Sequence, residues 1–238
     1  MPKFPGVLLL LLLARKRYKE LVISVVAFAA FTVIGLWLLG PQIPAAVEEV
    51  RSSWVRASAV HLSYRGPEIG YDHSLFSVVK QLLHIPYRQD LDALTYRQDP
   101  GLNSKIRAAA LPYSLLPMLG FAALYWFRIR KLPLLNQAIA LIVVAVTLPY
   151  TSSEYTLNHV YFAWALFLLF LARDVTTGRE SIPWPAAMVM LASFAFLFAL
   201  GPFGLYAGQL KTCALMVLLF MALTVPMHSS FLDEENRP

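Results

Sequence analysis

LVISVVAFAAFTVIGLWLLG (Leu21–Gly40) is an uninterrupted apolar run without a charge. As a helix rising about 1.5 Å per residue, its twenty or so residues span roughly 30 Å, the thickness of a bilayer's hydrocarbon core. It offers water no polar face, so its solvent is lipid. Five further runs repeat the pattern: Ala108 to Phe127 with Pro112 and Pro117 inside, Leu132 to Leu148, Leu157 to Ala172, Trp184 to Leu200, and Leu210 to Val225. The expected fold class is therefore all-α: a polytopic transmembrane helix bundle of six full crossings, forming a single integral membrane domain over residues 1–238. The composition agrees, with 58% hydrophobic and 14% charged residues against about 45–50% and 25% in soluble domains. It excludes a disordered chain, a disulfide-stapled secreted domain and a soluble nucleic-acid binder. The lone Cys213 lies in an apolar run and has no internal partner.

Ahead of the first crossing, Phe4 to Ala14 is too short to span, covering roughly half a bilayer as a helix. It is followed by Arg15, Lys16, Arg17 and Lys19 rather than by a small-residue cleavage site, so it reads as a short N-terminal half-helix and not as a signal peptide. Arg128, Arg130 and Lys131 form a second basic cluster, and Arg173 with Arg179 a weaker third. If the helices alternate, all three fall on one side, while the short loops 149–155 and 201–209 carry no Lys or Arg. Positive residues prefer the cytoplasm. The N-terminus is therefore expected outside and the acidic tail Phe231 to Pro238 inside, in the plasma (inner) membrane. The net charge of +6 reads as orientation and not as a nucleic-acid footprint.

Residues 41 to 107 differ, with eight Lys/Arg and seven Asp/Glu. A structureless loop of that length is improbable in a compact protein. Ala45 to Leu62 carries Val47, Val50, Trp54 and Ala57 at helical spacing, and Ser74 to Leu83 carries Leu75, Val78, Val79 and Leu82. Both are expected to be amphipathic interfacial helices in one long outer loop, apolar face down. Ser74 stands where an N-cap would accept an orphan backbone N–H.

No phosphate-binding glycine loop, HExxH or paired-cysteine metal site is present, and no metal or cofactor is expected. Two polar stretches carry candidate chemistry. In Pro149 to His159, His159 begins a helix just below the interface, where it can bond a phosphate or hydroxyl and titrate near neutrality. The plain reading of that turn makes Tyr150 and Tyr155 interfacial belt residues and leaves Glu154 solvated. In Tyr71-Asp72-His73-Ser74-Leu75 a helix N-terminus suits an anionic or polyhydroxyl ligand, although capping alone explains Asp72 and Ser74. Arg65 suits a lipid phosphate, and Lys211 reads as a lysine snorkelling to headgroups.

Three segments together resemble the membrane glycosyltransferases of family 87, polyprenyl-phosphate-mannose-dependent enzymes of the GT-C superfamily. Lys3-Phe-Pro-Gly-Val-Leu through Tyr18 resembles the family's lysine–proline opening of a leucine-rich helix ended by basic residues. Tyr71 through Leu82 is similar to its asparagine-glutamine-Ser-Leu motif and the following helix, with Asp72-His73 in place of the amides. Pro149 to His159 resembles its late turn, with Asn158-His159 in place of two histidines or Asp-His. The family's additional N-terminal helices and the outer loop bearing its catalytic carboxylate have no counterpart here. The resemblance therefore implies a C-terminal half of such an enzyme, or a shortened relative.

The implied reaction moves a hexose, mannose in that family, from a polyprenyl-phosphate carrier to a lipid-linked or glycan acceptor. A carboxylate serves as general base and a basic side chain stabilises the departing phosphate. Asp72 and Glu154 are the outer carboxylates to test as base. His159, Lys3 and Arg65 are the candidates for the phosphate, with His73, Ser74 and Asn158 around them. The implied partners are membrane lipid, the sugar donor, the acceptor and a missing N-terminal half. The competing expectation is a non-catalytic accessory or scaffold protein. A transporter is disfavoured because no crossing carries a mid-membrane charge or matched broken helices.

Overall fold

The structure is a computed structural model that describes residues 5–40, 42–63, 70–87, 100–152, 154–177, 182–199 and 207–227. The described residues are helical, with no strand. In chain order the helices are α1 (Pro5–Ala14), α2 (Tyr18–Leu39), α3 (Ile43–His61), α4 (Leu75–His84), α5 (Pro100–Phe127), α6 (Leu134–Thr147), α7 (Asn158–Thr177), α8 (Trp184–Phe198) and α9 (Ala207–Thr224). Among them α2, α5, α7 and α9 are long and apolar enough to cross a membrane. The apolar helices α6 and α8 have 14 and 15 residues, which at about 1.5 Å each reach roughly 21–23 Å. The half-helix expected at the start is present as ten residues.

The bundle is organised around α6. Pro133 precedes it, and from Leu135 to Thr147 every residue except Ala145 is buried. A helix apolar all round needs apolar neighbours all round, and α1, α7 and α9 pack on it. Helix α9 also packs on α8. Phe167, Phe194, Met190 and Leu215 fill the space between these helices. Helix α2 is the opposite case, with no buried residue, and it packs on α1 and α3.

The order of the ends follows from side-chain contacts. Asn136, at the start of α6, donates to Ala222 O and Val225 O at the end of α9, both at 2.7 Å. At the other end of α9, Gly208 N donates to Gly70 O, and residues 70–74 bond residues 150–152 just past α6. Helices α6 and α9 are therefore antiparallel. Tyr125 Oη donates to Leu10 O at 2.8 Å, so α1 and α5 both run out at the end where Asn136 lies. The turns bearing Arg15 to Lys19 and Arg128 to Lys131 share that basic end, as alternation of the helices requires.

Helix α1 closes in a Schellman turn, with Arg17 N on Leu12 O and Lys16 N on Leu13 O. The turn requires a left-handed residue after the cap, a position usually taken by glycine. Here it is Lys16, at φ 55°, at a cost of roughly 1 kcal/mol.

Helix α5 begins at Pro100, about two turns before the apolar run. The extension carries it past the end of α6 and gives α4 something to pack on. Phe76, Leu102, Ile106 and Ala110 form a second, smaller core there, with Val79, Leu83, Tyr113 and Tyr150 around it. The burial of α4 defines the face it turns to the protein. Its inward face is Phe76, Ser77, Lys80 and His84, while Leu82 is exposed. A polar stripe turns to the protein beside Phe76, with Lys80 facing Asp72 and Ser77 meeting Gln209. Helix α3 does leave Val47, Val50 and Trp54 uncovered, as an interfacial helix would.

Candidate functional site

The polar end is assembled by Asp72. Its Oδ1 accepts from Ser74 N at 3.0 Å and from Ser152 N at 2.8 Å, while Oδ2 faces Lys80 Nζ at 3.8 Å. Both side chains are buried, where a carboxylate is tolerated only with such partners. The bond within the chain shapes the turn into α4. The bond to Ser152 ties that turn to the segment after α6.

His73 follows this placement. Its backbone N–H donates to Ser152 O at 2.9 Å, and its fully buried ring lies with Nε2 3.4 Å from Thr156 Oγ1. The Thr156 and Ser152 hydroxyls hydrogen-bond at 2.7 Å. Ser74 is the N-cap of α4: Oγ accepts from Ser77 N at 3.1 Å and reaches Tyr150 O at 3.3 Å. Tyr150 is tied into the protein by both its ring and its hydroxyl. It packs edge-on against Phe76, lies beside Tyr113, and its hydroxyl meets Ser114. Tyr113 Oη donates to Leu148 O at 2.9 Å, fixing the mouth of α6 against α5.

The third wall is the first turn of α9. A Cβ on Gly208 would stand 2.7–2.8 Å from the backbone C and N of Asp72, so only glycine permits this approach. Gln209 Nε2 lies 3.4 Å from Ser77 Oγ. Lys211, one turn on, is buried. That corrects the snorkelling expectation, since a buried ammonium does not stand among headgroups.

The structure thus brings together Asp72, His73 and Ser74 from the first polar stretch with Ser152 and Thr156 from the second. His159 lies one turn beyond Thr156, half-buried, and Asn158 beside it is exposed. Glu154 lies in the short helical turn Glu154–Leu157, with its side chain outside the description. Lys3 and Arg65 lie outside the described residues. Sequence reasoning did not single out Lys80 or Ser77. The signal for them was a polar stripe, Ser77–Lys80–His84, at helical spacing across an otherwise apolar helix. The backbone donors are taken up by Asp72, and the Ser152 and Thr156 hydroxyls bond each other beside the His73 imidazole. Among the described residues, no cluster of His, Cys, Asp and Glu has the make-up of a metal site.

A family model, glycosyltransferase family 87, matches residues 1–151. No curated protein and no solved structure matches. The matched region runs from α1 through α6 and contains the Asp72–His73–Ser74 turn, Lys80 and Tyr150. With well over half of the 238 residues matched, the chain belongs to glycosyltransferase family 87.

Proposed function

We propose that this membrane glycosyltransferase moves a hexose, mannose by preference, from a polyprenyl-phosphate carrier to a lipid-linked or glycan acceptor of the cell envelope, at the polar end of the bundle. Family membership supports a sugar donor and an acceptor in a membrane. The site is carried by one observation: Asp72 gathers three segments, its own turn within the matched region and those of Ser152 and Gly208 beyond it, around His73.

In this reading all six apolar helices cross, the two short ones where the bilayer thins or the flanking turns complete the span. The basic end faces the cytoplasm of the plasma (inner) membrane, which leaves the N-terminus and the polar end outside. A carboxylate takes the proton of the acceptor hydroxyl as its oxygen attacks the anomeric carbon. The bond from that carbon to the carrier phosphate breaks, and polyprenyl phosphate leaves with the electron pair. Asp72 has both oxygens committed, so we assign it to positioning and the base to Glu154. His159, with Lys3 and Arg65, receives the phosphate charge. His73, Ser74 and Asn158 meet sugar hydroxyls.

We also propose that the chain acts as the C-terminal portion of a GT-C enzyme, with an N-terminal half as its partner. The test is a transfer assay with the purified full chain in liposomes, supplied with radiolabelled polyprenyl-phosphate mannose. Product formation that Glu154→Gln lowers by about 100-fold, a typical general-base contribution, is the expected result. No product from the chain alone, restored by adding an N-terminal half, would move the base onto that partner. No product in either case would leave the accessory reading.

A further inference from the structure

The basic end holds an interaction surface that the transfer reaction does not use. Residues 15–20 and 128–131 contain seven Lys/Arg and one carboxylate, Glu20. Tyr125 Oη on Leu10 O draws the two turns together. Several of these cations already have work inside the protein. Arg128 donates through Nε and Nη2 to Leu223 O, Arg17 pairs with Glu20, and Arg130 stacks on Trp126 at 3.9 Å. Lys16, Lys19 and Lys131 are exposed and hold no ion pair among the described residues.

Lys16 supplies a second, independent observation. It occupies the left-handed position of the Schellman turn, where glycine would serve the fold better. A residue strained against the local preference points to a use for its side chain. The rim indicates what that use is. Leu13, Tyr18, Trp126 and Phe127 stand exposed beside the lysines, and below them α2 has no buried residue. Cations above and bare apolar helix below match a headgroup phosphate joined to acyl chains.

We propose that the α1–α2 and α5–α6 turns bind the headgroup of an anionic phospholipid, with its acyl chains lying along α2 and α5. The three lysines receive the phosphate, and Tyr18 and Trp126 lie at the level of the glycerol. The chain's own acidic tail, with Phe231 and Leu232 ahead of Asp233, Glu234 and Glu235, is the competing occupant that the experiment separates from lipid.

The experiment uses the full chain in nanodiscs of phosphatidylcholine containing a minority of phosphatidylglycerol, with the lipid retained after mild detergent extraction measured by mass spectrometry. Phosphatidylglycerol is expected to be enriched severalfold over the bulk. Lys16→Gly, Lys19→Gln and Lys131→Gln should each lower its affinity by up to about fivefold. Lys16→Gly should at the same time keep or raise thermal stability in pure phosphatidylcholine, which separates binding from folding. Arg107→Gln, at the opposite end, should change nothing. Enrichment that persists in the triple lysine variant would overturn the proposal, as would equal stabilisation by inorganic phosphate alone. Enrichment absent from the native chain, and gained when Asp233, Glu234 and Glu235 are neutralised, would overturn it by giving the surface to the tail.

Discussion

Each end of the bundle is closed by one buried polar side chain, and the two have opposite chemistry. Asp72 closes the polar end by accepting from Ser74 N and Ser152 N. Asn136 closes the basic end by donating to Ala222 O and Val225 O, while its Oδ1 accepts from Met227 N at 2.8 Å. The difference follows from what helix ends leave unpaired. A helix start exposes N–H groups, which want an acceptor, and a helix finish exposes carbonyls, which want a donor. Asp72 stands just before α4 and against the first turn of α9. Asn136 stands beside the last turn of α9, where Arg128 adds its own donors to Leu223 O. The macrodipole favours the same assignment, a negative charge at the starts and donors at the finish.

Exchanging carboxylate and amide should break that symmetry in opposite senses. Asp72→Ala is expected to have the largest effect, about 3 kcal/mol of lost stability, because it strips Ser74 N and Ser152 N of their acceptor and leaves buried Lys80 without its carboxylate. Asp72→Asn keeps an acceptor oxygen and should cost less than Asp72→Ala. Asn136→Ala should cost about 2 kcal/mol, through the carbonyls and the Met227 N–H it abandons in a buried site. Here Asn136→Asp should be the worse variant, because a carboxylate placed against two carbonyl oxygens donates nothing to them. Denaturation midpoints in mixed micelles give all four values. The contrast fails if the amide and carboxylate variants rank the same way at both ends.

The sequence reveals these elements well and their surroundings poorly. Every apolar run became a helix, and Ser74 became the cap its position suggested, because run length and cap chemistry are local properties. What surrounds a run is not local. Helix α6 and helix α2 are equally apolar, yet one is enclosed by protein and the other has no buried residue. Hydropathy registers the absence of water and cannot tell lipid from a neighbouring helix. The same blindness hid the inward face of α4. Lys80 in an amphipathic helix reads as solvated until α5 is found to extend past α6 and the first turn of α9 to close over Asp72. Gly208 and Ser152 were illegible because their roles come from backbone contacts across gaps of about 80 to 140 residues.

The smallest expected effect tests how local the polar end is. Ser74 performs two tasks, accepting from Ser77 N and reaching Tyr150 O. The first belongs to α4 alone and the second ties α4 to α6. Ser74→Ala removes both and should cost about 1 kcal/mol, the usual loss at an N-cap. Ser74→Gly should cost only a few tenths if capping is the main task, since glycine is nearly as good at that position. A Ser74→Gly variant as unstable as Ser74→Ala would put the weight on Tyr150. In that case the polar end would be held by its long-range ties, Asp72 to Ser152 and Ser74 to Tyr150, and α4 would owe its start to α6 more than to its own cap.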